Sequence, residues 1–478
     1  MSVEDGLKRS LPENQGVCSG TISQLLDHFA EKELELHSIM LLRYGQVVAE
    51  GWWEPYRAER PHMLFSLSKS FTSTAIGFAV DEGLISVEDK VCHFFPEEQP
   101  ARIGPNLERM QIHHLLSMAT GHEEDPTERV IQASDGDWVR AFLSLDVPRE
   151  PGTHFVYNTA ATYMLAAILH KVTGQSLVDY LTPRLFNPLG IVDATWETCP
   201  KGINTGGFGL SIKTADIAKF GQLYLQKGAW RGVQLISPEW IDAATKKQIS
   251  NGEDPLSDWN QGYGYQFWRC QHGAYRADGA FGQFCIVVPK EELVVAITAG
   301  LNDMQGVLNG VWEILLPALS PAALPENKAG YAGLQRKLSE LVLPPLPSDK
   351  RSGAAGLSGH YLFADNDLQL EAATLTLEAD ACHVQLELPF GQPRITCGYG
   401  SYLQSKLSHR GQDVTAFSCA SWKNDTTLEF LSRIVETPFA YKVTALFTAG
   451  QVELAIQVNC GFGPREFVLH GKLETAED

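Results

Sequence analysis

The sequence predicts an α+β fold: an antiparallel sheet flanked by helices, with an inserted helical region, followed by a C-terminal all-β barrel-like domain. Three observations carry this. Strand patterns stand at both ends of the first two-thirds of the chain, with helical patterns between them. A Pro-, Gly- and Ser-rich stretch, LVLPPLPSDKRSGAAGLSG at 341–359, then breaks the composition. Beyond it, most segments alternate apolar and polar residues between short turns.

The elements follow in order. HSIMLLRYGQVVAEGWW, 37–53, places two apolar runs around Tyr44-Gly45-Gln46 and reads as a β-hairpin. In SLSKSFTSTAIGFAVDEGLI, Phe71, Ala75, Phe78 and Ala79 recur at helical spacing, and Gly83 ends the run. Helical patterns continue to about Phe220 and include TAATYMLAAILHKVTG, ending at Gly174. Thr214 is the expected N-cap of ADIAKFGQLYLQKG, with Asp216 in the first turn where the helix dipole favours it. Strands return at 263–270, 274–276, 284–288 and 293–299, the last two joined by a turn at Pro289–Glu292, and a further helix starts near Met304. This gives residues 1–340 as one domain, 341–359 as a linker and 360–478 as a β-barrel or sandwich accessory domain.

Composition excludes several functions. The 478 residues are 44% hydrophobic and 20% charged, as in ordinary globular chains. The net charge of −19 argues against a nucleic-acid surface, which needs clustered Lys and Arg. No run is apolar and long enough to span a membrane, and MSVEDGLKRSLPENQG lacks the apolar core of a secretory signal. The nine cysteines are an odd number without a C-x-x-C pair, which reads as reduced thiols in a cytoplasmic protein. Neither H-E-x-x-H, G-x-S-x-G, a P-loop nor G-x-G-x-x-G occurs, so neither a metal nor an organic cofactor is expected.

The chemistry centres on FSLSKSF. If it opens a helix, Ser66 lies in the first turn and Lys69, three residues on, shares its face. A serine hydroxyl is a weak nucleophile until a neighbour takes its proton. A lysine does so if burial or nearby positive charge lowers its pKa, and the flanks here are aromatic and apolar. The tetrapeptide alone reads rather as an ordinary helix start with Ser66 as N-cap.

Longer stretches decide between these readings. HMLFSLSKSFTSTAIGFAVDEGLISVEDKV, IHHLLSMATGH, PGTHFVYNTAATYMLAAILHKVTGQSL, GGFGLSIKTADIAKFGQLYLQKGAW and YRADGAFGQFCIVVPKEELVVAITAG occur in one order between about Ile39 and Ala299. In this the chain resembles the serine β-lactamase and penicillin-binding protein superfamily, in its class C-like esterase and peptidase branch. The resemblance implies a β-lactamase/transpeptidase-like fold, with Ser66 as acylated nucleophile and Lys69 as general base. Tyr157 would share the proton shuttle, as a phenolate beside the lysine cation, and protonate the leaving group. The family's Tyr-x-Asn becomes Tyr157-Asn158-Thr159, so Thr159 stands where an asparagine would bind the substrate carbonyl. The third motif, Lys-Thr-Gly or His-Thr-Gly in relatives, is Ala277-Asp278-Gly279, so its cation is missing. Strand alternation puts Arg276 on the other face from Ala277. Gly279 would keep the strand open to a ligand, and the backbone N–H groups of Ser66 and Ala280 would form the oxyanion hole. Asp278 has two readings, a substrate ligand or a partner for a helix end. His113, His114 and His122 are read as structural, and Trp52 and Trp53 as packing residues.

The sequence therefore points to a serine hydrolase acting on a small-molecule ester, amide or peptide. The near alternative is a β-lactamase or D-Ala-D-Ala-type peptidase, and the distant one a non-catalytic binding or sensor protein on the same fold. No nucleic-acid or membrane partner is expected. For the C-terminal domain, homo-oligomer formation and covering the cleft both stay open.

Overall fold

The computed structural model describes residues 5–348, 357–409 and 412–474. One compact unit takes the residues up to Gly51, Pro61–Thr298 and Asp303–Ser339. The other takes Trp52–Arg60, Ala299–Asn302 and the chain from Glu340 onward. The middle of the expected linker, 349–356, lies outside the described residues.

In the first unit a seven-stranded sheet is built from β1 (Lys8–Arg9), β2 (Leu36–Arg43), β3 (Gln46–Trp52), β4 (Trp268–Arg269), β5 (Tyr275–Gly279), β6 (Gln283–Val288) and β7 (Leu293–Ala299). Their order is β1-β3-β2-β7-β6-β5-β4, so strands from the two ends of the unit meet at β2 and β7. The β4–β5–β6–β7 pairings are antiparallel, while β1 joins β3 in parallel. The β2–β3 hairpin turns at Tyr44 (φ 50°) and Gly45 (φ 73°), both left-handed, which matches the twist of the flanking strands.

Among the helices are α1 (Ser19–Glu31), α2 (Ser68–Asp81), α3 (Ile112–Leu116), α4 (Thr159–Thr173), α5 (Thr214–Leu225), α6 (Met304–Gly310) and α7 (Lys328–Ser339). Every residue of α2 from Ser68 to Ala79 is buried, so its Phe71/Ala75/Phe78 stripe is one of several packed faces. Phe71 stacks on Phe220 of α5, centroids 3.9 Å apart. The buried hydroxyls find partners: Ser70 Oγ donates to Gln266 O (2.6 Å), Thr72 Oγ1 to Gly206 O (2.8 Å), and Thr74 Oγ1 meets the Tyr224 hydroxyl (2.7 Å).

Two local expectations change. The strand expected over 263–270 is only β4, because the chain leaves the pleat at Gln266, φ 66°. There the side-chain Nε2 donates to the carbonyls of Leu115 and Leu116 (3.1 and 2.8 Å), tying the segment to the end of α3. Thr214 is the first residue of α5 and not its cap, because its hydroxyl is taken by Ser38 Oγ at 2.7 Å. Asp216 does serve the helix start, accepting the Lys213 N–H (3.2 Å) and pairing with Lys219 (2.9 Å).

The second unit holds β8 (Gly359–Phe363), β9 (Ala372–Leu377), β10 (Ala381–Glu387), β11 (Arg394–Tyr399), β12 (Leu403–His409), β13 (Gln412–Asn424), β14 (Thr427–Ile434), β15 (Ala440–Thr448), β16 (Gln451–Val458) and β17 (Glu466–Leu473). The sheet order is β11-β10-β9-β8-β17-β16-β15-β14-β13-β12. A parallel pairing of β11 with β13, Gly398 opposite Cys419, closes nine of these strands into a barrel. Closure removes the sheet edges that an open meander would expose. All nine cysteines are free thiols, eight of them buried. No helix of the described residues is long and apolar enough to cross a membrane.

Candidate active site

Ser66 lies on a 3-10 turn, Phe65–Leu67, that leads directly into α2. No side-chain capping bond is made there, so Ser66 is not an N-cap. Phe65 before it has φ 51°, a left-handed backbone that a phenylalanine adopts only at a cost of about 1–2 kcal/mol. Phe281, just past Ala280, is also left-handed at φ 68°. The two rings meet edge to face with centroids 5.2 Å apart, so each helps hold the other's turn.

One turn on, Lys69 is 1% exposed. Its Nζ lies 3.1 Å from Ser66 Oγ and 2.7 Å from the carbonyl of Gly207. With one N–H given to Gly207, a neutral amine would still have its lone pair to offer the serine hydroxyl. Burial pushes the amine down to about 7, against the opposing pull of Asp125 and Asp278. Gly207 is small for a reason: a Cβ there would come 2.7 Å from Thr159 Cγ2 and 3.5 Å from Lys69 Nζ.

Tyr157 stands beside this pair, the Lys69 Nζ lying 4.9 Å from the centre of its ring. Burial, with Asp278 next, drives this phenol above its ordinary range, the direction opposite to a phenolate. The ring stacks on Trp268 at 5.4 Å and meets Tyr263 edge-on at 6.2 Å. Thr159 opens α4, half-buried beside Gly207. Asn158 points elsewhere: it is the N-cap of α4, its Oδ1 accepting the Ala161 N–H at 2.9 Å while Nδ2 reaches Thr120 Oγ1 at 3.2 Å.

On β5, Arg276 and Asp278 share a face and form a buried ion pair at 2.7 Å. Arg276 also donates to the Asp258 carbonyl (3.0 Å), and its guanidinium lies 4.3 Å from the Trp259 ring centre and 5.4 Å from that of Trp268. Burial lifts the Asp278 carboxyl above the usual range although Arg276 and Lys69 oppose it. Gly279 ends the strand against the turn that carries Ser66. A Cβ there would sit 1.9 Å from the Leu64 carbonyl oxygen and 3.1 Å from the Leu67 nitrogen, on either side of Ser66. The next residue, Ala280, is thereby set beside the turn, with its carbonyl held by Gln283 Nε2 at 3.1 Å.

The histidines lie outside this cluster of contacts. His114 Nδ1 accepts the Gln111 N–H at 2.9 Å, and His122, buried, meets Thr120 Oγ1 at 2.8 Å. Among the described residues no group of three or more His, Cys, Asp or Glu is placed to hold a metal ion. Sequence reasoning missed Gly207, Gln266, Trp268 and the Arg276–Asp278 pair. Only Gly207 left a signal, the GGFG run at 206–209.

Several known proteins are similar to this chain. The 6-aminohexanoate-dimer hydrolase of Paenarthrobacter ureafaciens is 26% identical over 287 residues, 56% of this chain and 73% of that one. Penicillin-binding protein 4 of Amycolatopsis lactamdurans is 25% identical over 307 residues, 55% of this chain and 77% of that one. The octameric penicillin-binding protein homologue from Pyrococcus abyssi is similar in fold, with a TM-score of 0.51 at 17% identity, over 94% of this chain and 99% of that one. The Beta-lactamase family matches residues 22–309, the span that carries Ser66, Lys69, Tyr157 and the end of β5, and the chain belongs to that family of hydrolases.

Proposed function

We propose that the chain is a serine hydrolase that works through an acyl-enzyme on Ser66 and cleaves esters or small amides and peptides. The observation that supports this most is the Lys69 amine, buried, 3.1 Å from Ser66 Oγ and pushed down to about 7. An ordinary lysine would be protonated at neutral pH and unable to accept the serine proton. In the proposed cycle Ser66 Oγ attacks the substrate carbonyl as its proton passes to Lys69. The N–H groups of Ser66 and Ala280 hold the oxyanion. Tyr157, a protonated phenol, gives its proton to the leaving group and regains one from Lys69. Water then resolves the ester by the reverse proton path. Thr159, Asp278 and Gly279 would border the bound substrate.

Two points favour small esters and amides over β-lactams. The relative named for hydrolysing the 6-aminohexanoate dimer lends support for an amide-type substrate. Ala277 offers no cation for a substrate carboxylate, and the Arg276 guanidinium is committed to Asp278. The test is intact-protein mass after a fluorophosphonate probe, on wild type and Ser66→Ala. One adduct, lost in the variant, is expected. A folded wild type that takes no adduct would refute the proposal in favour of a binding protein.

A further inference from the structure

The C-terminal barrel is hollow. Its strands enclose a cavity of about 400 Å³. The lining residues recur at every second position, as the inner face of a barrel requires: Val384 and Leu386 on β10, Tyr441 and Val443 on β15, Leu454 and Ile456 on β16. Barrels of this strand number either fill their interior with side chains or hold one small ligand. Close-packed interiors keep few voids larger than a water, and water gains little in a site with few polar partners.

The two ends differ. One is plugged by the buried cluster of Tyr361, Cys382, Tyr399, Trp422, Leu428 and Phe447. Toward the other end a smaller buried cluster, Leu370, Ile456 and Leu469, carries Leu386 and Leu388 against it, and these two are only half-buried. Phe390, on the turn between β10 and β11, lines the cavity yet is 75% exposed, which marks the mouth. The lining carries no charged side chain, and the Ser432 hydroxyl in it is already paired with Ser418 at 2.8 Å. From the plug to Phe390 spans most of β10, about 15–20 Å at ~3.3 Å per residue with the tilt of barrel strands. The cavity is therefore long for its volume and narrow.

We propose that the barrel is a binding site for one unbranched alkyl or acyl chain, its methyl end at the plug and its polar end in water at Phe390. With a methylene taking about the ~30 Å³ of a water, the volume suits a chain of on the order of ten to fourteen carbons. The proposal stands on the second unit alone and does not depend on the reaction at Ser66.

The test uses the full chain and the fluorescent apolar amine N-phenyl-1-naphthylamine. One molecule per chain is expected to bind with a blue-shifted, enhanced emission. Dodecanoate and 1-dodecanol should both displace it. Displacement by the alcohol alone would show that a free carboxylate is not tolerated at the mouth, leaving esterified or neutral chains as the occupants. Val443→Trp and Leu386→Trp fill the cavity from opposite walls and should each weaken binding at least tenfold, with the far-ultraviolet circular dichroism unchanged. Phe390→Glu, at an exposed position that leaves the core intact, should slow uptake severalfold. The proposal is overturned if the wild type does not bind the probe, if 1-adamantanol displaces it and the straight chains do not, or if folded tryptophan variants bind like wild type. Should both tryptophan variants fail to fold, unchanged uptake by Phe390→Glu overturns it.

Discussion

Titrating the acylation step tests the lysine most directly. The amine of Lys69 is held near pKa 7 by its burial, while Asp125 and Asp278 pull it upward. If acylation needs the neutral amine, its rate follows the deprotonated fraction. That fraction rises from about 3% at about pH 5.5 to about 75% at about pH 7.5, a rate gain of roughly 25-fold. The rate should then stay level to about pH 9, because the Tyr157 phenol, held above its ordinary range, keeps its proton there. The assay is single-turnover acylation by a small p-nitrophenyl ester. Asp125→Asn supplies the perturbation: Asp125 is exposed, and the amide oxygen can still accept the Thr127 N–H that its carboxylate accepts at 3.0 Å. Removing its charge withdraws one of the two pulls that raise the lysine, so the midpoint should move to lower pH. A profile flat from pH 5.5 to 8.5, or one rising only near the ordinary lysine value, would refute the reasoning. So would a midpoint that rises in Asp125→Asn.

Further outcomes follow from the same geometry. Tyr157→Phe keeps the stack on Trp268 but removes the phenol proton, so acylation of an alkyl ester should fall about 10²–10⁴-fold. A leaving group that needs no protonation, such as p-nitrophenolate, should lose much less. Gly279→Ala forces a methyl against the Leu64 carbonyl, and a shift of about 1 Å in the turn that carries Ser66 should cost on the order of 100-fold in kcat/KM. Fluorophosphonate labelling rates on the folded variant measure it, and a wild-type rate would sink the idea. Acid should destabilise the first unit through His114 and His122, which burial holds neutral, each pushed down to about 4. Between that value and the unfolded pKa of about 6.5 the unfolded chain binds more protons, so stability falls as pH falls through the window and levels off below it. Each ring accounts for up to about 3 kcal/mol. Urea unfolding of wild type and His122→Gln across the window should show a shallower pH slope in the variant, and equal slopes would exclude the histidine.

The parts of this structure legible in the sequence are those fixed by short-range pattern. The β2–β3 hairpin follows from two apolar runs around a tight turn, and α4 runs to Gly174 as its spacing requires. The closeness of Ser66 and Lys69 needs only one helical turn. In the barrel, β15, β16 and β17 show clean alternation, whereas β13 reads QDVTAFSCASWKN, small and polar residues of modest strand preference. Its pairing with β11 and β14 is set by closure of the ring, which no local window contains.

The candidate site shows the same division, and here it has a chemical consequence. What lowers the Lys69 pKa is burial, and α2 is buried on all sides by elements far away in the chain. The Gly207 carbonyl that orients the amine comes from 138 residues downstream. Ser70 is anchored by Gln266, 196 residues away, through a backbone turn that departs from the strand its sequence suggests. Trp268, which backs Tyr157, is itself pinned by Arg276, and Arg276 by Asp278. A serine and a lysine three residues apart are thus only an opportunity for catalysis. If that pair works as nucleophile and base, as proposed, its conversion rests on residues whose only common property in the sequence is that they are distant from it.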